Sequence, residues 1–240
     1  MARHARTRPI PGAPHQNVTA DEGVYLLAAA TALTLLAVLA VAIDLPVAQW
    51  LRRHELPADL RRLLRLSEAF AWGGTVGLIV LTAAVLDARG WRVVPRLAVA
   101  TAGAGLAADV GKLVIARLRP PAASLDGGVL DTFVGWLPAF DPALLAQPYG
   151  YKFQSFPSGH AATAAGLAIA LAMLYPRGRW LFAALATLAA VQRLQGHAHF
   201  LSDVLAGASL GALVGAACTL PGPLALWLLK VEAAQTLNRR

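Results

Sequence analysis

The chain alternates long apolar runs with short basic or Gly-Pro interruptions, and this pattern predicts a set of helices laid side by side. The uncharged run Gly23 to Ala42 is long enough to cross a bilayer. Its end, Ala40-Val41-Ala42, has the small residues of a cleavage site, but the run is too long for a secretory signal, so a retained first span is expected. Further spans are expected over Phe70 to Leu86, Val93 to Ile115, Ala161 to Tyr175, Trp180 to Leu194 and Asp203 to Leu220, where Pro221-Gly222-Pro223 breaks the helix. Gly103 and Gly105 are expected to allow close helix contact in the third.

Residues 51 to 68 follow another rhythm. Arg52, Arg53, Arg61, Arg62 and Arg65 alternate with Leu60, Leu63, Leu64 and Leu66 at near-helical spacing, as in a helix lying flat on lipid headgroups. The fold class expected is therefore all-α, an integral membrane six-helix bundle with a flat interfacial helix between spans 1 and 2. Residues 1–22, rich in Arg and Pro, read as a flexible basic tail; 23–232 read as one membrane domain and 233–240 as a C-terminal tail.

Composition agrees. With 57% hydrophobic and 14% charged residues in 240, an ordinary soluble domain is excluded. The net charge of +8 comes from arginines that punctuate apolar runs and form no single basic face, which argues against nucleic acid as a partner. Cys218 lies alone inside an apolar run, so neither a disulfide framework nor a thiolate zinc site is expected.

The basic residues divide almost evenly between the two sides of the bundle. The short turns favour an inner N-terminus, with Lys112 to Pro120, Pro157 to His160 and Arg193 to Asp203 emerging together on the outer side. Between the first two lies a long connection, Arg117 to Ser155. Its aromatics Phe133, Trp136, Phe140, Tyr149, Tyr151 and Phe153 suit either a lid at the membrane interface or a loop packed on helix ends.

Each of the three clusters has a bland reading beside a chemical one. Pro157, Ser158 and Gly159 make a capped helix start whose open amides suit an anion, with His160 in the first turn able to exchange a proton. Lys112 and Arg119, seven apart, share a face if helix persists to Pro120; they either hold a phosphate or snorkel to the interface. His199 and Asp203 are four apart, so on a helical turn the carboxylate can orient the imidazole as a nucleophile. Gly196 offers a break that brings Arg193 round, and His197 lacks a partner of its own. A zinc site on His160, His197, His199 and Asp203 is the alternative; the cations Lys112, Arg119 and Arg193 repel a dication and favour an anion.

Taken together, Lys112-x6-Arg119-Pro120, Pro157-Ser158-Gly159-His160 and Arg193-x5-His199-x3-Asp203 resemble the three-part signature of the type 2 phosphatidic acid phosphatase family, in order and spacing, over roughly residues 68–220. The resemblance implies a cofactor-free, metal-independent phosphatase acting through a phosphohistidine. In it His199 attacks phosphorus, Asp203 orients His199, and His160 protonates the leaving oxygen. Lys112, Arg119, Arg193, Ser158 and Gly159 would hold the phosphate oxygens. Gln192 departs from the family, which usually has Ser before the arginine of the third motif.

A lipid phosphate in a bacterial inner membrane, reached from the periplasmic or extracellular side, is the substrate this implies. Membrane lipids are the other expected partners. Two rival readings are a vanadate-dependent haloperoxidase, which shares the oxyanion pocket but not the six spans, and a non-catalytic lipid-phosphate binding or transport protein, against which the intact His160, His199 and Asp203 speak.

Overall fold

The computed structural model describes residues 20–142 and 150–237. Most of the predicted tail at 1–22, Tyr149 and the last three residues lie outside them. Helix α1 (Ala20–Ala40) continues through a short 3-10 turn into α2 (Asp44–Arg53). Pro57 precedes α3 (Ala58–Ser67), and a turn at Glu68–Phe70 leads to α4 (Gly73–Leu86). Then follow α5 (Val94–Val114), α6 (Gly159–Leu174), α7 (Arg179–Gln195), α8 (Leu201–Thr219) and α9 (Pro223–Leu237).

Helix α8 is the hub, packed against α6, α1 and α5. Its contacts are made through small residues, as expected where lipid leaves no hydrophobic force between helices. A Cβ on Gly207 would stand 2.2 Å from the Ser158 carbonyl oxygen, and one on Gly211 would stand 2.2 Å from that of Ala162. Backbone therefore lies on backbone where α8 meets the start of α6. Ala100, Leu97, Ala164, Leu167 and Ala170 fill the interior nearby. At the opposite end, the buried guanidinium of Arg96 donates to both carboxylate oxygens of Glu232, at 3.0 and 3.2 Å, and fixes α9 to α5.

Large apolar side chains face outward, among them Leu35, Leu39, Leu78, Leu106, Leu181 and Trp180. On a soluble protein such a surface would be untenable; on a membrane protein it meets lipid. Among the described residues, Glu22–Arg53, Gly90–Val114 and Leu201–Thr219 are each long and apolar enough to cross a membrane. Ala58–Phe70 with Gly73–Leu86, bent by 64°, forms a fourth if the pair counts as one span. Helix α6, at 16 residues, falls short of the length a bilayer core asks of a straight helix. The count of six expected from the apolar runs is thus not reached on length and composition alone.

Three other expectations change. The flat helix at 51–68 is two helices, because Pro57 interrupts it: Arg52 and Arg53 end α2, and Arg52 donates to the Pro120 carbonyl at 3.0 Å. Among the described residues the architecture is helical except for a two-stranded antiparallel ribbon, β1 (Ile115–Arg117) with β2 (Phe133–Trp136), which pairs Ile115 with Trp136 and Ala116 with Gly135. Helix also extends further at both ends of the domain, beginning at Ala20 and continuing through Leu237.

Candidate active site

Two features of the backbone bring the three motifs together at one end of the bundle. The first is the switch from helix to strand after Val114. Lys112 and Arg119 were expected on one helical face; instead α5 ends, and the β-branched Ile115 begins an extended segment that delivers Arg119. The chain entering the second motif runs beside this segment: Arg119 N–H donates to the Lys152 carbonyl and Ser155 N–H to that of Arg117, at 2.8 and 3.1 Å.

The second feature is the cap of α7. His197 N–H donates to the Leu194 carbonyl and Ala198 N–H to that of Arg193, both at 3.0 Å, which is a Schellman closure. The left-handed residue it requires is His197, with φ of 52°, and not the expected Gly196. His197 therefore spends its place on turning the chain. Its ring lines a small cavity with Asp44, Pro120 and His199.

Beyond that turn His199 is buried, and its Nδ1 lies 2.7 Å from the Ser155 carbonyl. Asp203 was expected to hold this nitrogen. Its Oδ2 is 3.9 Å away, because Phe200 is extended and the helix starts only at Leu201, so the i to i+4 geometry does not apply. Asp203, third residue of α8, instead reaches back: Oδ2 accepts from Phe200 N–H at 2.8 Å and from Ser155 Oγ at 2.6 Å. It thus holds the residue that holds His199.

Behind Asp203 is a fully buried cluster that sequence reading missed. The Arg117 guanidinium donates to Asp203 Oδ1 at 2.5 Å, Asp44 Oδ2 at 2.7 Å, Ser202 Oγ at 2.7 Å and Thr132 Oγ1 at 3.1 Å. It is sandwiched between the rings of Phe133 and Phe200, 4.3 and 4.4 Å from their centres. Asp44 also accepts from Ser202 N–H at 2.9 Å and ties the end of the first membrane helix to the site.

At the start of α6, Ser158 is the N-cap, its hydroxyl 3.5 Å from Ala161 N, as the sequence predicted. Its N–H donates to the Asp203 carbonyl at 3.0 Å. Gly159 lets Lys112 approach: a Cβ there would stand 3.3 Å from Nζ. Lys112 also donates to Asp109 at 2.8 Å. Arg119 is buried and donates to the carbonyls of Ala198 and Gln154 at 3.0 and 3.2 Å. Arg193 Nη1 donates to Glu68 Oε1 at 2.8 Å and to Gln192 Oε1 at 3.2 Å. Glu68, also missed, lies 3.5 Å from His160 Nε2.

Burial, and after it the charges of Arg119 and Arg193, hold the His199 imidazole well below its usual pKa; the Ser155 carbonyl opposes them and Lys112 adds to the lowering. His199 is therefore neutral near pH 7. A carbonyl only accepts, so Nδ1 carries the proton and Nε2 keeps its lone pair. The arrangement thus offers a fixed neutral imidazole, a second histidine, and three cations.

Residues 94–222 match the PAP2 superfamily, more than half of the chain. The protein belongs to that superfamily. Two lipid A 1-phosphatases, from Rhizobium johnstonii and Rhizobium etli, are 45% identical over 60 residues and 44% identical over 59. Each match covers 25% of this chain and 25% of the relative, so the likeness spans about a quarter of those proteins. In fold, the chain is similar to the crystal structure of a transmembrane PAP2-type phosphatidylglycerolphosphate phosphatase from Bacillus subtilis. That likeness has a TM-score of 0.50 at 18% identity and covers 86% of this chain and 96% of the other. The residues singled out from the sequence as chemical, Lys112 to Asp203, all fall within the PAP2 match.

Proposed function

We propose that this PAP2 protein hydrolyses a lipid phosphomonoester or pyrophosphate through a phosphohistidine on His199, without a metal. The observation that carries the reading is the fixed tautomer of His199, whose Nδ1 is held by Ser155 while Lys112, Arg119 and Arg193 surround the motifs. Nε2 attacks the terminal phosphorus, a P–N bond forms, and the P–O bond to the leaving oxygen breaks, that oxygen belonging to the lipid in a monoester and to the lipid monophosphate in a pyrophosphate. His160 gives its proton to the leaving oxygen. In the second half His160 takes a proton from water, whose oxygen attacks phosphorus, and neutral His199 leaves as the P–N bond breaks.

Phosphoryl transfer asks the protein chiefly for in-line positioning and for charge stabilisation of the equatorial oxygens. Lys112, Arg119 and Arg193 supply the charge, and Ser158 and the Gly159 amide close the cradle. Asp203 acts through Ser155 rather than on the imidazole directly.

The lipid A 1-phosphatase relatives make a phosphorylated saccharolipid the first substrate to test, with phosphatidylglycerol phosphate, phosphatidic acid and undecaprenyl pyrophosphate beside it. The site would face the periplasmic or extracellular side of a bacterial inner membrane, in a six-span arrangement in which α6 and α7 complete the crossings. The test is phosphate release from that lipid panel in detergent with excess chelator, using His199→Ala as blank and orthovanadate as inhibitor. Release that matches the blank on every lipid would overturn the reading.

A further inference from the structure

Glu68 belongs to none of the three motifs, yet its carboxylate lies among them. It is carried on the turn between α3 and α4, at the 64° bend. Oε1 takes the Arg193 Nη1 hydrogen bond and stands 3.5 Å from His160 Nε2; Oε2 accepts from Gln192 Nε2 at 3.4 Å. The two groups it faces are incompletely served: Arg193 Nε and His160 Nε2 are both buried and have no hydrogen-bond partner. A guanidinium and an imidazole thus converge on one space, and a single carboxylate oxygen lies between them.

A phosphoryl group suits that space better than Glu68 does. Its several oxygens can take two guanidinium N–H groups at once and still meet the imidazole, where Glu68 satisfies one N–H. Both anions cannot be held there together, since like charges a few ångströms apart repel strongly outside bulk water. Glu68 is also positioned to leave: its side chain is 36% exposed, and water awaits it when the ion pair opens. The other cations facing the space are Lys112 from α5 and Arg119 from the segment after β1. Gln192, which departs from the family pattern, holds the second carboxylate oxygen.

We propose that Glu68 is the internal anion of the phosphate site: it occupies the oxygen position shared by Arg193 and His160 and must be displaced by the substrate phosphate. The consequence is specificity. A weak or small anion, including the product orthophosphate, pays the full cost of displacing Glu68, while a lipid phosphate offsets that cost with contacts along its own body. This inference rests on the phosphatase reading, and its test separates the two.

Inorganic orthophosphate is titrated calorimetrically into the full-length protein in detergent, as wild type, Glu68→Gln and Glu68→Asp. Removing the charge while keeping the shape is expected to tighten orthophosphate binding about tenfold. Glu68→Asp keeps the charge on a shorter arm and is expected to fall between the two. It gives the same sign if the glutamine variant fails to fold. Orthophosphate binding to the variants that is equal to or weaker than wild type would overturn the proposal, even if the wild type releases phosphate from lipids. Tightened binding in a protein that releases none would uphold Glu68 as the internal anion and overturn the phosphatase reading alone.

Discussion

Nδ1 of His199 gives its hydrogen bond to the main-chain carbonyl of Ser155, 2.7 Å away. The ring is thereby aimed by backbone, and the carboxylate of Asp203 aims the backbone in turn through Ser155 Oγ. This order of supports decides what each variant should do.

On the proposed mechanism His199→Ala is expected to lower kcat by at least about 10⁴-fold, since removal of a nucleophile leaves only binding and charge stabilisation. Ser155→Ala keeps the carbonyl that holds His199 and loses only the link to Asp203, so a fall of roughly tenfold to a hundredfold is expected. Phosphate release under saturating lipid separates the two. Equal losses in both variants would mean that the Ser155 hydroxyl does more than position.

The pH profile follows from the burial of His199. Its pKa is pushed well below the usual value, so the ring stays neutral, and nucleophilic, as pH falls through about 6.5. The acid limb of kcat/KM is therefore expected below pH 6.5. Arg119→Gln removes one of the cations that depress His199, and should move the acid limb to higher pH. The sign for stability agrees. The unfolded chain protonates this histidine first, so its stabilising contribution falls as pH drops below about 6.5 and continues to fall down to the folded pKa. An acid limb at or above pH 6.5 in the wild type would contradict a neutral buried nucleophile.

The apolar runs made the main helices legible, and the three motifs pointed to the candidate site, because both are local patterns of residue type. What escaped was set by tertiary contact. Arg117 reads as one more interfacial arginine, and only the strand pairing after Val114 carries it into the interior. Asp44 ends an apolar run and looks like a water-facing stop until Ser202 and Arg117 are seen around it. Glu68 offered one signal: it is the lone acid at the mouth of an apolar run, between an arginine-rich helix and a span. Asp203 illustrates the opposite error. A spacing of four suggested that the carboxylate holds the imidazole directly, and the extended Phe200 leaves the two 3.9 Å apart, beyond a hydrogen bond.

Gly207→Ala tests the packing of the motif turn. The new methyl would fall 2.2 Å from the Ser158 carbonyl oxygen, against backbone that cannot swing aside as a side chain could. Overpacking of this kind costs about 1–3 kcal/mol. Here it also lifts the start of α6 away from Asp203. Loss of activity larger than the loss of thermal stability is expected, read from kcat and from the unfolding midpoint in one detergent. A fully active variant would show that the close approach is not needed for the site.

Arg117 is where the fold and the candidate site share one charge. It faces two carboxylates, Asp44 and Asp203, and all three side chains are buried from bulk solvent. Arg117→Met keeps much of the volume but leaves both acids unpaired, and breaking a buried pair in this way costs about 3–5 kcal/mol. Arg117→Lys restores the charge, but its single ammonium cannot reproduce the fork that now meets Asp44, Asp203, Ser202 and Thr132. The lysine variant should therefore recover most of the stability and little of the activity. In the double variant Arg117→Met with Asp44→Asn, one stranded charge is gone, so part of the lost stability should return. Unfolding midpoints and phosphate release, measured across the three variants, distinguish this from a purely structural role, in which activity would track stability throughout.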